Sequence, residues 1–136
     1  MTTVPRLKYF VDGQWRVSQT ERYMDVYNPS TGEVMAQAPC CTEQEVLDAV
    51  AAARKAFPAW SDTPAIKRSQ IMFRVRELLI QHQDRLTELV AKENGKAWGD
   101  AQGDVVKAKE GPELACSIPT LMAGENLMDA SAGIDT

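Results

Sequence analysis

The strongest constraint on the fold is a change in the spacing of apolar residues at Pro39. Before it, aromatic and β-branched residues alternate with polar ones, a period of two that is typical of strands. After it, apolar residues recur every three or four positions, which is the period of an amphipathic helix. The sequence therefore predicts an α+β chain in which strands come first and helices follow.

Two turn signatures divide the strand region, about residues 8–38, into β-hairpins. Asp12-Gly13 is the two-residue signature of a tight hairpin and lies between apolar runs. In the second turn, Pro29 suits an early position and Gly32 suits a positive φ. We expect short antiparallel strands on both sides of each turn.

Three helices are predicted, over about residues 43–57, 64–94 and 100–121. The first begins at a capping box that runs from Thr42 to Glu45, and Pro58 fits its end.

The second predicted helix has Pro64 at its first helical position and ends at Gly95. We expect a break in it near residue 82, because apolar residues are missing there and Asp84 could cap a new start.

The third predicted helix contains Gly111-Pro112. A proline there cannot bond to the carbonyl of Ala108 and clashes with it, which costs about 3 kcal/mol. We expect a kink or a restart, with Pro112 early in the second piece. After about Leu121, small residues predict a loop.

Three glycines at four-residue spacing, Gly95, Gly99 and Gly103, resemble a phosphate-binding loop. Such a loop requires Gly-Lys followed by Ser or Thr, but Gly95-Lys96 is followed by Ala97. The G-x-G-x-x-G dinucleotide fingerprint is also absent. We interpret these glycines as a helix end and as positions where the next helix approaches a neighbour closely.

The three cysteines form no C-x-x-C pair, which disfavours a disulfide framework and a zinc site. A nucleophilic Cys116 would need a base, and His82 is the only histidine. A catalytic dyad of Cys116 and His82 remains an alternative. Packing in the core for Cys116 and a position at the core boundary for His82 are favoured. The carboxylates of Glu43 and Glu45 are interpreted as cap and solvated-face charges near a helix start.

Composition narrows the functional classes. Hydrophobic residues are 44% and charged residues 25%, as in globular proteins. A net charge of −4, without a basic cluster, disfavours a nucleic-acid partner. The sequence has neither an apolar run of about 18 residues for a membrane span nor a recognisable signal peptide. A cytoplasmic location is expected.

Three motifs then resemble the amino-terminal portion of the aldehyde dehydrogenase superfamily: DVYNPSTGEVMAQAP, AVAAARKAFPAWSDTPAIKRSQIMFRVRELL and LVAKENGKAWGDAQGDV. The resemblance covers all 136 residues. The ending, ACSIPTLMAGENLMDASAGIDT, is similar to the CoA-acylating methylmalonate and malonate semialdehyde dehydrogenase branch.

The resemblance implies that residues 1–136 are the amino-terminal segment of a Rossmann-like NAD-binding domain in a longer α/β enzyme, with the catalytic domain absent. In such enzymes a cysteine attacks the aldehyde, hydride passes to NAD, and the acyl group passes to CoA or water. No cysteine here matches the catalytic position, so this chain alone is predicted to be inactive. The resemblance also implies a small semialdehyde substrate and a homo-oligomer at full length.

The resemblance implies a role in substrate binding for one residue of this chain. In the semialdehyde branch, an arginine after a Gly-acidic-Val motif is associated with the substrate's carboxylate, and Lys107 holds that position after Gly103-Asp104-Val105. Lysine supplies the charge but not the planar fork of arginine. The alternative is that Lys107 is a solvated helix lysine.

Two other functions stay open for the chain. One is a non-catalytic helical interaction module, whose apolar faces would be covered by a partner protein. The other is a fragment of a hydrolytic aldehyde dehydrogenase of another branch.

Overall fold

The computed structural model describes residues 4–125 and 130–134. Within these ranges the strands are β1 (Tyr9–Val11), β2 (Gln14–Arg16), β3 (Tyr23–Tyr27) and β4 (Val34–Pro39). The helices that follow are α1 (Glu43–Ser61), α2 (Ala65–Gln81), α3 (Gln83–Asn94), α4 (Trp98–Cys116) and α5 (Ile118–Leu121). The predicted α+β order, with hairpins before helices, is confirmed.

Each hairpin forms at its predicted turn. β1 pairs antiparallel with β2 around Asp12 and Gly13, whose φ angles are 50° and 72°. β3 pairs antiparallel with β4, and Gly32 in the connecting turn has a φ of 75°. Both turns therefore place their Gly or Asp residues where a left-handed backbone is required.

The helix α1 begins at the predicted capping box but passes through its predicted end. The N–H of Glu45 donates to the Thr42 hydroxyl at 3.3 Å, and the N–H of Thr42 donates to the Glu45 carboxylate at 2.8 Å. The end predicted at Pro58 is wrong, because the helix continues to Ser61. The carbonyl of Pro58 accepts the N–H of Asp62 at 3.0 Å, so the last turn closes beyond the proline.

The predicted break near residue 82 is confirmed. α2 ends at Gln81 and α3 begins at Gln83, with His82 between them at φ −105° and ψ 13°. Asp84 is not the cap. It lies in the first turn of α3, where its negative charge interacts favourably with the positive end of the helix dipole. Gly95 ends α3 with a φ of 65°, as predicted.

Of the kink or restart predicted at Gly111-Pro112, the restart does not occur, and the kink stays a prediction. α4 continues from Trp98 to Cys116 with Pro112 inside it. Packing of α4 against α2 and α3, together with an ion pair of 2.8 Å between Glu113 on α4 and Arg76 on α2, outweighs one lost backbone bond.

The chain instead divides at Ser117, between α4 and α5. Of the loop predicted after Leu121, residues 126–129 and 135–136 lie outside the described residues. Its described part contains an isolated bridge between Ser131 and Ile134.

The hydrophobic core is small and lies where α4 meets α2 and α3. Among the described residues, Ala101 and Thr87 have no exposed surface and Val105 is buried, whereas Trp15 and Phe57 are 67% and 66% exposed. The chain exposes 10718 Å². A compact monomer of this length exposes about 7,000 Å². Much of the apolar surface therefore faces outward.

We expect Gly95→Ala to destabilise the chain by about 1–3 kcal/mol. A Cβ at this position would lie 2.9 Å from Cγ of Pro29 and 3.2 Å from Oγ of Ser30, in a backbone with φ 65°. The left-handed conformation alone costs an alanine about 1–2 kcal/mol. Urea unfolding followed by circular dichroism measures the change.

Gly103→Ala is the matched control, because Gly103 lies inside α4 and no atom is within 4 Å of a Cβ built there. Alanine at this position is expected to stabilise the helix by about 0.5–1 kcal/mol. Equal effects of the two substitutions would contradict the close approach of the hairpin turn to Gly95.

Candidate functional site

Lys107, for which the family resemblance implies substrate binding, lies on an exposed face of α4. Its side chain is 76% exposed, and it follows buried Val105 by two positions, a rotation of about 200° around the helix. Its ammonium donates to Oε1 of Glu110 at 3.0 Å and to Oε2 at 3.2 Å. In the described chain this lysine is a solvated helix residue paired with a neighbouring carboxylate.

The helix surface beside Lys107 is open on both sides. Gly103 lies one turn before it and Gly111 one turn after it, and nothing lies within 4 Å of a Cβ built at either glycine. The same is true of Gly99. The prediction that these glycines admit a neighbouring helix is therefore wrong for Gly99 and Gly103 within the described residues, while Gly95 does pack closely against the β3–β4 turn.

The alternative nucleophile and base are far apart. Ala115, which adjoins Cys116, lines a cavity of about 150 Å³ together with Ser69 in the first part of α2. His82 follows the last residue of α2. The helix between Ser69 and His82 is about 20 Å long, so a Cys116–His82 dyad does not form. All three cysteines are free and half-buried.

The strongest electrostatic feature of the described chain is the buried carboxylate of Glu45. It accepts the Ser18 hydroxyl at 2.7 Å, the Gln19 N–H at 2.8 Å and the Thr42 N–H at 2.8 Å. The interpretation of Glu45 as a solvated charge is wrong, although its part in the cap is confirmed. These bonds, the one from Ser18 most of all, lower the pKa of Glu45 to about 2 from 4.5, against the opposing effect of burial.

These contacts join the loop after β2 to the start of α1. Ser18 and Gln19 precede Glu45 by 27 and 26 residues, a separation that no local pattern in the sequence covers. Glu45 thus links the loop after β2 to the start of α1, and the hydrogen bonds to its charged form keep the carboxylate ionised near neutral pH.

The residues that the structure describes do not fit an NAD site. Their strands form two separate antiparallel sheets of two strands each, whereas dinucleotide-binding folds hold the pyrophosphate where parallel strands lead into helices. Within the same residues no group of three His, Cys, Asp or Glu side chains could hold a metal ion. No helix in the described ranges is long and apolar enough to cross a membrane.

Comparison with known proteins identifies the family of this fold. Residues 15–135 match the aldehyde dehydrogenase family. The chain belongs to this family. The predicted resemblance is therefore confirmed, and it extends over nearly the whole sequence.

A curated relative and a solved structure that match the chain are both semialdehyde dehydrogenases. The chain is 45% identical over 135 residues to malonate-semialdehyde dehydrogenase 1 of Geobacillus kaustophilus, covering 99% of this chain and 27% of that protein. The crystal structure of methylmalonate-semialdehyde dehydrogenase from Oceanimonas doudoroffii matches with a TM-score of 0.86 and 38% identity, covering 97% of this chain and 27% of that one.

A second solved structure, from Sinorhizobium meliloti 1021 and complexed with NAD, matches with a TM-score of 0.87 and 30% identity. It covers 99% of this chain and 28% of that chain. The chain thus spans little more than a quarter of the length of these aldehyde dehydrogenases.

We expect Glu45→Gln to lower the free energy of unfolding at neutral pH. A pKa of about 2 in the folded chain, below the ordinary 4.5, means that ionised Glu45 stabilises the fold above about pH 4.5. This contribution is lost as the pH falls from about 4.5 to about 2. The difference in stability between wild type and variant should shrink over that interval in urea unfolding at a series of pH values.

Glu43→Gln provides the control, since Glu43 is an exposed carboxylate in the same first turn of α1. It should change the stability at neutral pH far less than Glu45→Gln does. A stability loss for Glu45→Gln that stays constant down to pH 2 would contradict the role given to the Glu45 carboxylate.

Proposed function

We propose that this chain is the amino-terminal part of an NAD-dependent, CoA-acylating malonate or methylmalonate semialdehyde dehydrogenase. The 45% identity to a malonate-semialdehyde dehydrogenase over 99% of the chain carries this proposal. The complete enzyme would oxidise a small semialdehyde to an acyl-CoA, with NAD as the oxidant and CoA as the acyl acceptor. Following the same family resemblance, we propose a cytoplasmic homo-oligomer without a nucleic-acid or membrane partner.

The exposed apolar surface supports a place for this segment within a larger enzyme. On α1, large apolar side chains at helical spacing face outward: Val46, Val50 and Phe57 are 53%, 47% and 66% exposed. Burial of such side chains is worth about 1.5–3 kcal/mol each. We place the hairpins and helices beside the NAD-binding sheet, with the catalytic domain and its cysteine supplied by the rest of the enzyme.

In this enzyme Lys107 would bind the carboxylate of the semialdehyde. Lys107 is exposed and lies on α4 between two positions that lack side chains, Gly103 and Gly111. A lysine attracts a carboxylate as a point charge and does not impose the two parallel bonds of an arginine. The orientation of the substrate would then depend on other residues of the complete site.

A second candidate is the non-catalytic interaction module. The same exposed apolar side chains favour it, because exposed apolar surface on a protein can mark a contact with another protein. The two candidates differ in what must follow the segment: the enzyme requires a nucleotide pocket and a nucleophile, and the module requires neither.

A chimera distinguishes them. Residues 1–136 replace the matching segment of the Geobacillus kaustophilus enzyme, and NADH formation is followed by absorbance. We expect oxidation of malonate or methylmalonate semialdehyde that requires both NAD and CoA, and no NAD reduction by isolated residues 1–136.

Three results would contradict the proposal in different ways. A chimera that unfolds cooperatively but lacks activity favours the interaction module. Turnover without CoA favours the hydrolytic branch. Activity of the isolated chain contradicts the assignment of the catalytic cysteine to the rest of the enzyme.

We expect Lys107→Met in the chimera to raise KM for the semialdehyde by about 10- to 100-fold, because hydrogen bonds to charged groups contribute about 1.5–3 kcal/mol. Lys107→Arg, which keeps the charge, should restore most of the loss. Steady-state kinetics with propanal provide the control, because this aldehyde has no carboxylate. An equal rise in KM for both substrates would mean that Lys107 acts on the fold and not on the carboxylate.

A further inference from the structure

Glu110 is paired with the Lys107 ammonium, the group that would bind the substrate's carboxylate. Both of its carboxylate oxygens accept from the Lys107 ammonium, at 3.0 Å and 3.2 Å. A lysine ammonium has three N–H donors, so a carboxylate held through both oxygens engages most of its capacity. The two residues are three positions apart on α4, the spacing at which helical side chains meet on one face.

We propose that Glu110 is a specificity-determining residue that competes with the substrate's carboxylate for Lys107. This inference rests on the proposed function, because it needs a carboxylated semialdehyde at Lys107. While Glu110 is bound, the pair carries no net charge and offers an anion little attraction. An anionic substrate must displace the Glu110 carboxylate or bind close to a like charge.

The surroundings of the pair allow this displacement. The side chains of Lys107 and Glu110 are 76% and 53% exposed, and apart from its own helix backbone and chain neighbours nothing lies within 4 Å of a Cβ built at Gly111, which follows Glu110. Exposed ion pairs of this kind are weak. Glu110 would therefore reduce the affinity for an anionic substrate by only about two- to five-fold, and would not abolish its binding.

A second ion pair on α4, between Glu113 and Arg76, differs from the pair of Lys107 and Glu110 in that it connects two helices. Glu113 pairs with Arg76 across the contact between α4 and α2, at 2.8 Å, and both side chains are more buried than those of Lys107 and Glu110. That pair links two helices. The pair of Lys107 and Glu110 links none, since both residues lie on α4, so displacing Glu110 leaves the helix packing intact.

The test uses a complete enzyme, in which residues 1–136 are joined to the remaining sequence of the Geobacillus kaustophilus relative. Glu110→Gln is expected to lower KM for malonate semialdehyde by about two- to five-fold without changing kcat. KM for propanal should stay the same. In a Lys107→Met background the same substitution should have no effect on KM for the semialdehyde, because the competition needs the ammonium.

Glu88→Gln is the matched control, because Glu88 is as exposed as Glu110 and also forms an ion pair with a lysine of its own helix, Lys92 on α3. It should leave KM for both aldehydes unchanged. An unchanged or raised KM in Glu110→Gln overturns the inference, and so does an equal decrease in the Lys107→Met background.

The proposed function and the inference about Glu110 can be contradicted separately. A wild-type enzyme that does not oxidise the semialdehyde overturns the proposed function and this inference together. An active wild type whose Glu110→Gln variant keeps its KM overturns the inference alone.

Discussion

The contact of α4 with α2 and α3 is the interaction on which the rest of this segment depends. Apart from Val105, the buried side chains along it are small: Ala101 on α4, Thr87 on α3 and Ser69 on α2, which lies beside Ala115 towards the other end of α4. Small residues let helix backbones approach closely and leave little space for large apolar groups between them. The large apolar side chains therefore lie on the outer faces of the helices, which explains how a segment with well-formed helices keeps a small core and a wide apolar surface.

Features governed by short-range chemistry could be predicted from the sequence. The Asp12-Gly13 turn, the Thr42 cap and the end of α3 at Gly95 each depend on the conformational or hydrogen-bonding preference of one or two residues. Local preference misleads at the prolines for the same reason. Pro58 predicts a helix end, although hydrogen bonds beyond it continue the helix, and Pro112 predicts a kink or a restart, although α4 does not restart there.

Several features around the candidate site could not be predicted from sequence patterns. Periodicity predicts which residues share a helix face but not what covers that face, so the exposure of Val46 and Phe57 could not be predicted. The contact between Ser18 and Glu45 crosses 27 residues and leaves no periodic signal. A substrate role for Lys107 is predicted only by the family resemblance. Its pairing with Glu110 could have been predicted from their three-residue spacing, since opposite charges at that separation meet on a helix.

Two sides of one helix thus take different roles. The side of α4 that carries Ala101 and Val105 is fixed by burial, and Glu113 adds a link to α2. The side that carries Lys107 has glycines and exposed charges, with nothing in the described chain to fill the space beside Gly103 and Gly111. A charged group can act on a substrate only if its backbone is held in place while its side chain remains free. Under the proposed function, the buried side of α4 would meet the first requirement for Lys107, and the exposed pair with Glu110 would meet the second, because a firmly held lysine would have no capacity left for another carboxylate.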